Sequence, residues 1–151
     1  MKILFVCTGN TCRSAMCEAY FNSLCETHQC SSLSASSAGT DAWDGERASM
    51  YTITALSGYA TKIATHKARC LTKEMLEEAD LVITMTEAHR QRVLRLNPLL
   101  SMRTRLLGEF GRDGKDIRDP FGGGAEIYSL CFEHMKEPLD RLFEQFSKTT
   151  K

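Results

Sequence analysis

Lys2-Ile3-Leu4-Phe5-Val6-Cys7-Thr8-Gly9-Asn10-Thr11-Cys12-Arg13-Ser14 opens with a short apolar run and ends where a helical pattern begins. The run from Lys2 to Val6 reads as a buried strand. The helix is predicted from Arg13 to about His28, with Met16, Ala19, Tyr20 and Leu24 along one side. The same alternation continues outward. A serine-rich strand is expected over 31–37 and a helix over 48–59. Thr72 and Glu74 mark a capped helix start for 73–78. A second apolar strand follows over 81–85. A helix over 87–96 stops before Asn97-Pro98, and another strand is expected over 104–107. A long amphipathic helix over 125–146 carries Pro138, which predicts a kink or a break into two. Strands alternating with helices imply βαβ units and a parallel sheet covered on both faces. In such sheets ligands bind beyond the carboxyl ends of the strands.

That rule points to the loop after Val6, and each of its parts has a physical use. A strand-to-helix loop can turn successive N–H groups inward as an anion nest. The helix N-terminus adds free N–H groups and the positive end of its dipole. Gly9 and Asn10 are residue types that tolerate left-handed backbone. Arg13 offers a planar fork matched to two phosphate oxygens. Cys7 stands at the start of the loop, where the positive field favours its thiolate, and Ser14 can donate a hydrogen bond to it. Thr8, Gly9, Asn10, Thr11, Cys12 and Ser14 line the cradle. An isolated cysteine is usually a buried thiol and an isolated arginine a surface charge. Together, as C-x5-R-S after an apolar strand, they describe a nucleophile beneath a phosphate cradle. Asp119-Pro120-Phe121-Gly122-Gly123-Gly124 is loop punctuation, and it also presents a carboxyl that can serve as general acid.

Composition narrows the alternatives. The chain has 151 residues, 42% hydrophobic and 25% charged, with 19 basic and 19 acidic side chains. A single domain over 1–151 is expected. Zero net charge without a basic arm argues against nucleic acid as a partner. No apolar run approaches the ~20 residues that span a bilayer, and MKILFVC is too short for a secretion signal. Seven cysteines are an odd count without close C-x2-C pairs, so reduced, mostly buried thiols are expected rather than a disulfide framework or a metal cluster.

VCTGNTCRS at 6–14 and DPF at 119–121 resemble the catalytic and acid loops of the low-molecular-weight protein phosphatases, and the likeness covers nearly the whole chain. The resemblance implies a flavodoxin-like α/β/α fold with a four-stranded parallel sheet. It implies Cys7 as nucleophile, Arg13 as phosphate clamp and Asp119 as general acid, then base. Ser37 and His66 fall where the family braces the loop through Asn10. Trp43 and Phe121 fall where it builds the walls of its cleft. The other reading of His66 is a satisfied, partly buried histidine, and of Trp43 a core aromatic. Cys12 resembles the family's second loop cysteine, able to form a reversible disulfide with Cys7. There are departures: Ala15-Met16-Cys17-Glu18 replaces the common Pro-x-Ala-Glu, and Gly122 replaces a second aromatic.

Many tyrosine-directed members carry isoleucine where this chain has Thr11. CTGNTCRS, MTEAH at 85–89 and DPFGGGAEIY at 119–128 resemble the arginine phosphatase branch. Phosphoarginine in proteins is therefore the first expected substrate and phosphotyrosine the alternative. The implied setting is a cytoplasmic monomer acting on phosphorylated proteins, without cofactor or metal. An arsenate reductase would need a pair of resolving cysteines, which the stretch between Cys70 and Cys131 lacks. A phosphocysteine carrier would have less need of Arg13 and an acid loop. A non-catalytic anion-binding domain would be expected to lack Cys7 or Asp119.

Overall fold

Side chains on β1 (Lys2–Cys7) alternate between two cores. Ile3 and Phe5 face one core, which also holds Met16, Phe21, Phe132 and Leu139. Leu4 and Val6 face the other, with Leu76, Val82, Val93 and Leu100. The period of two along a strand produces this split, and burial on both faces explains why the run is apolar throughout. The computed structural model describes residues 1–149; the last two residues of the expected 1–151 domain lie outside them.

The remaining elements are α1 (Arg13–Thr27), β2 (Ser34–Gly39), α2 (Met50–Leu56), α3 (Lys73–Glu78), β3 (Leu81–Thr84), α4 (Glu87–Leu96), β4 (Thr104–Leu106) and α5 (Ala125–Thr149). Short 3₁₀ turns occupy Thr61–Thr65, Pro98–Arg103 and Leu107–Phe110. The four strands are parallel in the order β2-β1-β3-β4. Helices α1 and α5 contribute to the core on one face of the sheet, α3 and α4 to that on the other. The winding reverses at β1, so its carboxyl end is the switch point at which such folds bind ligands.

Three expectations need correction. Strand β2 lies two to three residues later than the 31–37 predicted, because its register follows β1, from Lys2 opposite Ser34 to Cys7 opposite Gly39. Its serines are tolerated on an edge strand whose Ala35 is held by the Asn22 side chain through N–H and C=O, each at 2.9 Å. Helix α2 is shorter than 48–59: Ser49 caps it, Met50 stands in solvent and only Thr52 and Leu56 are buried. Of the two outcomes expected at Pro138, the break into two does not occur: α5 is one continuous helix from Ala125 to Thr149. The proline is buried and lies beside Gly111.

Candidate active site

Strand β1 ends on Cys7 and α1 begins on Arg13, so five residues must turn the chain between them. Asn10 makes the turn with φ 57°. Gly9, named with it from the sequence, is not in left-handed backbone. Gly39 matters for a different reason. A Cβ there would lie 2.4 Å from the Thr8 carbonyl oxygen and 2.9 Å from the Asn10 nitrogen, so only glycine lets β2 approach the loop this closely.

Asn10 is fully buried and ties four segments together. Its Nδ2 donates to Ser14 Oγ at 2.8 Å and to Ser37 Oγ at 2.9 Å. Its Oδ1 accepts from the Arg69 amide at 2.9 Å, and its carbonyl accepts from His66 Nε2 at 2.7 Å. His66 Nδ1 faces Glu18 Oε2 at 3.3 Å. Ser37 and His66 thus meet the loop at Asn10.

Cys7 Sγ accepts from the Asn10 amide at 3.3 Å and lies 2.9 Å from Ser14 Oγ. Because Ser14 Oγ already accepts from Asn10, its proton is available to the sulfur. The N-terminus of α1 has no side-chain cap and no acidic residue in its first turn, so the positive end of its dipole is left uncompensated at the loop. Arg13 is 4% exposed. Its Nη1 donates to the Ile117 carbonyl at 3.0 Å, its Nη2 lies 3.5 Å from Asp119 Oδ2, and its buried Nε has no partner among the described residues. A buried donor without a partner is costly, and an anion in the loop would satisfy it. Ile117 is itself fixed by its N–H to the Met85 carbonyl at 2.9 Å, past the end of β3. Asp119 is half-exposed, and its Oδ1 accepts from the Phe121 amide at 3.0 Å.

Trp43 and Phe121 are 80% and 84% exposed, so Trp43 is not a core aromatic. Trp43 follows Thr40 and Asp41, whose amides bond the carbonyls of Cys7 and Thr8, and Phe121 lies two residues beyond Asp119. The Thr11 carbonyl accepts from the Ser49 amide at 3.0 Å, and its hydroxyl has no hydrogen-bond partner among the described residues. All seven cysteines are free. Burial and the nearby Cys7 push the Cys12 thiol up to about 11, and burial above all pushes Cys131 up to about 12.

Sequence reasoning missed three supports: Arg69, Ile117 and His89. The His89 ring is buried beside the loop, with Nε2 2.8 Å from Thr8 Oγ1 and Nδ1 3.0 Å from Thr86 Oγ1. Burial first, then the Arg13 charge, pull it down to about 4, so it is neutral near pH 7. The MTEAH stretch contained it, but nothing in the spacing showed that α4 would deliver it to Thr8.

A parallel α/β fold with a thiol and a buried guanidinium in one strand-to-helix loop, faced by a carboxylate, defines the class of cysteine-based phosphatases. The chain belongs to the low molecular weight phosphotyrosine protein phosphatase family, whose profile matches residues 2–151. It is 36% identical to a protein-arginine-phosphatase of Bacillus subtilis, covering 98% of each chain. It is 38% identical to one of Geobacillus stearothermophilus, covering 95% of each. Among solved structures, the YwlE arginine phosphatase, as a C7S mutant with a phosphorylated active site serine, superposes with a TM-score of 0.89 at 35% identity, covering 98% of this chain and 97% of that one.

Proposed function

We propose that this chain hydrolyses phosphoarginine in proteins through a phosphocysteine on Cys7. The observation that carries the chemistry is the arrangement around one sulfur: Cys7 Sγ between the Asn10 amide and Ser14, with Arg13 and Asp119 facing each other at 3.5 Å. The phosphoryl dianion enters the loop from Thr8 to Ser14, and Arg13 grips two of its oxygens. Cys7 attacks phosphorus in line while Asp119 gives its proton to the leaving nitrogen. Asp119, now ionised, takes a proton from water as that water attacks the phosphocysteine, and phosphate and the Cys7 thiolate are released. Ser14 supports the sulfur as it leaves.

Three features support arginine over tyrosine. The relatives at 36% and 38% identity carry the arginine activity in their names. Thr11 also leaves an unpartnered hydroxyl on the loop where an isoleucine would present a hydrocarbon face to an aromatic ring. Asp119 can pair with the cationic guanidinium that departs. Phosphotyrosine is the second reading, favoured by the two exposed aromatic rings of Trp43 and Phe121.

Rates on matched phosphoarginine and phosphotyrosine peptides test the choice. Arginine should be preferred, and Thr11→Ile should lose arginine activity and gain tyrosine activity. A strong wild-type preference for phosphotyrosine ends the arginine reading. We take the working form to be a cytoplasmic monomer. Cys7 needs a reducing setting, and every group invoked comes from one chain. No helix among the described residues is long and apolar enough to cross a membrane.

A further inference from the structure

Thr8 follows the sulfur-bearing residue directly, and its side chain is exposed. Its carbonyl is fixed by the Asp41 amide at 3.0 Å, and its hydroxyl meets His89 Nε2 at 2.8 Å. His89 is held in turn from its other side. Thr86 Oγ1 accepts from the His89 amide at 3.2 Å as the cap of α4 and lies 3.0 Å from Nδ1. The Thr86 hydroxyl, its oxygen already accepting from the amide, is free to give its proton to Nδ1. In the tautomer that this contact suits, the ring proton is on Nε2 and is donated to Thr8 Oγ1. With its oxygen accepting from His89, the Thr8 hydroxyl keeps its own proton for a further acceptor.

We propose that the Thr8 hydroxyl is an additional donor to the phosphoryl group in the loop, and that His89 is the positioning residue that aims it. This rests on the loop binding a phosphoryl group, as argued above. A donor fixed beforehand costs no reorganisation when charge grows on the phosphoryl oxygens, so its effect falls on the chemical step. The neutral ring suits the task. An imidazolium would donate from both nitrogens, turn the Thr86 hydroxyl away and set a second cation beside Arg13. The charges around the ring are Arg13 from α1, Arg92 from α4, and Asp41, Asp116 and Asp119 from the adjoining loops.

The test is a double-mutant cycle of His89→Ala and Thr8→Val, read as kcat and KM on an aryl phosphate. A lost hydrogen bond to a charged group predicts a fall of about tenfold or more in kcat for either single variant, with KM little changed. The double variant should be no slower than Thr8→Val alone, because His89 acts through Thr8. Thr8→Ser and His89→Gln, which keep the hydroxyl and an N–H donor, should recover most of the rate. Multiplicative losses in the double variant, or a Thr8→Val enzyme at full kcat, overturn the proposal. If His89→Ala does not fold, the cycle is run with Thr8→Val in the His89→Gln background, where a full-rate Thr8→Val overturns it equally. A wild-type chain that releases no phosphate would sink the phosphatase reading itself. An active wild type with independent variants sinks only the role of this pair.

Discussion

Replacing Asn10 by alanine removes three side-chain hydrogen bonds at a position 0% exposed: two donated to Ser14 and Ser37, and one accepted from the Arg69 amide. Each is worth about 1 kcal/mol net, and more where a buried partner is left unsatisfied, as the Ser37 hydroxyl would be. Asn10 also holds φ 57°, a region that alanine tolerates less well by up to ~1 kcal/mol. The total is about 3–5 kcal/mol, a large share of the ~5–15 kcal/mol that holds a domain folded. Urea unfolding followed by far-UV circular dichroism measures it; the only tryptophan, Trp43, is 80% exposed and reports poorly on the core. Asn10→Gly loses the same bonds but adopts the backbone freely, so it should fall within about 1 kcal/mol of alanine. Hydrolysis should fall in both, because the amide and side chain that support Cys7 and Ser14 lose their anchor. A loss below about 1 kcal/mol would refute the view that this one side chain holds the loop in shape.

Asp119→Ala should cut kcat by about 10²–10⁴ and flatten the limb of the pH–rate profile that reports the acid; full activity would remove Asp119 from the mechanism. Gly39→Ala should push the Thr8 carbonyl off β2, destabilising the chain by about 1–3 kcal/mol and lowering activity; a neutral result on both counts contradicts the 2.4 Å approach. His89, held near 4 against an ordinary 6.5, binds fewer protons folded than unfolded. Its stabilising share is therefore complete above about pH 6.5 and is lost as the pH falls towards 4, by ~3 kcal/mol at most. Unfolding free energies at pH 7 and pH 4 should differ more in the wild type than in His89→Gln, and equal slopes would refute this.

Much of the site could be read before any coordinates because its chemistry is local. Cys7, Arg13 and Ser14 lie within eight residues, and a strand feeding a helix sets their geometry. Helices α3 and α4 begin and end where their composition says, with Thr72 and Thr86 capping them. The supports were hidden because they are long-range. Arg69 is 59 positions from Asn10, Ile117 is 104 from Arg13 and His89 is 81 from Thr8. Two of the three contacts run through backbone N–H or C=O groups, which every residue carries and which leave no signature in composition.

The role proposed for Cys7 asks why one thiol in seven should react. Cys12, Cys25 and Cys131 are each pushed up by burial, to about 11, 11 and 12, and Cys17, fully buried, well above its ordinary value. Burial alone therefore gives inert thiols in this chain. Cys7 is buried as deeply, 1% exposed, but it is the cysteine at the carboxyl end of the central strand β1. There the Asn10 amide and Ser14 supply hydrogen bonds, and Arg13 and the start of α1 supply positive charge. Those donors are in place before any substrate arrives, because Asn10 is held by Ser37, His66 and Arg69 rather than by a ligand. The selectivity therefore belongs to the brace behind the loop as much as to the sulfur. Weakening the brace should bring Cys7 closer in behaviour to the other four buried cysteines without altering a single atom of its side chain.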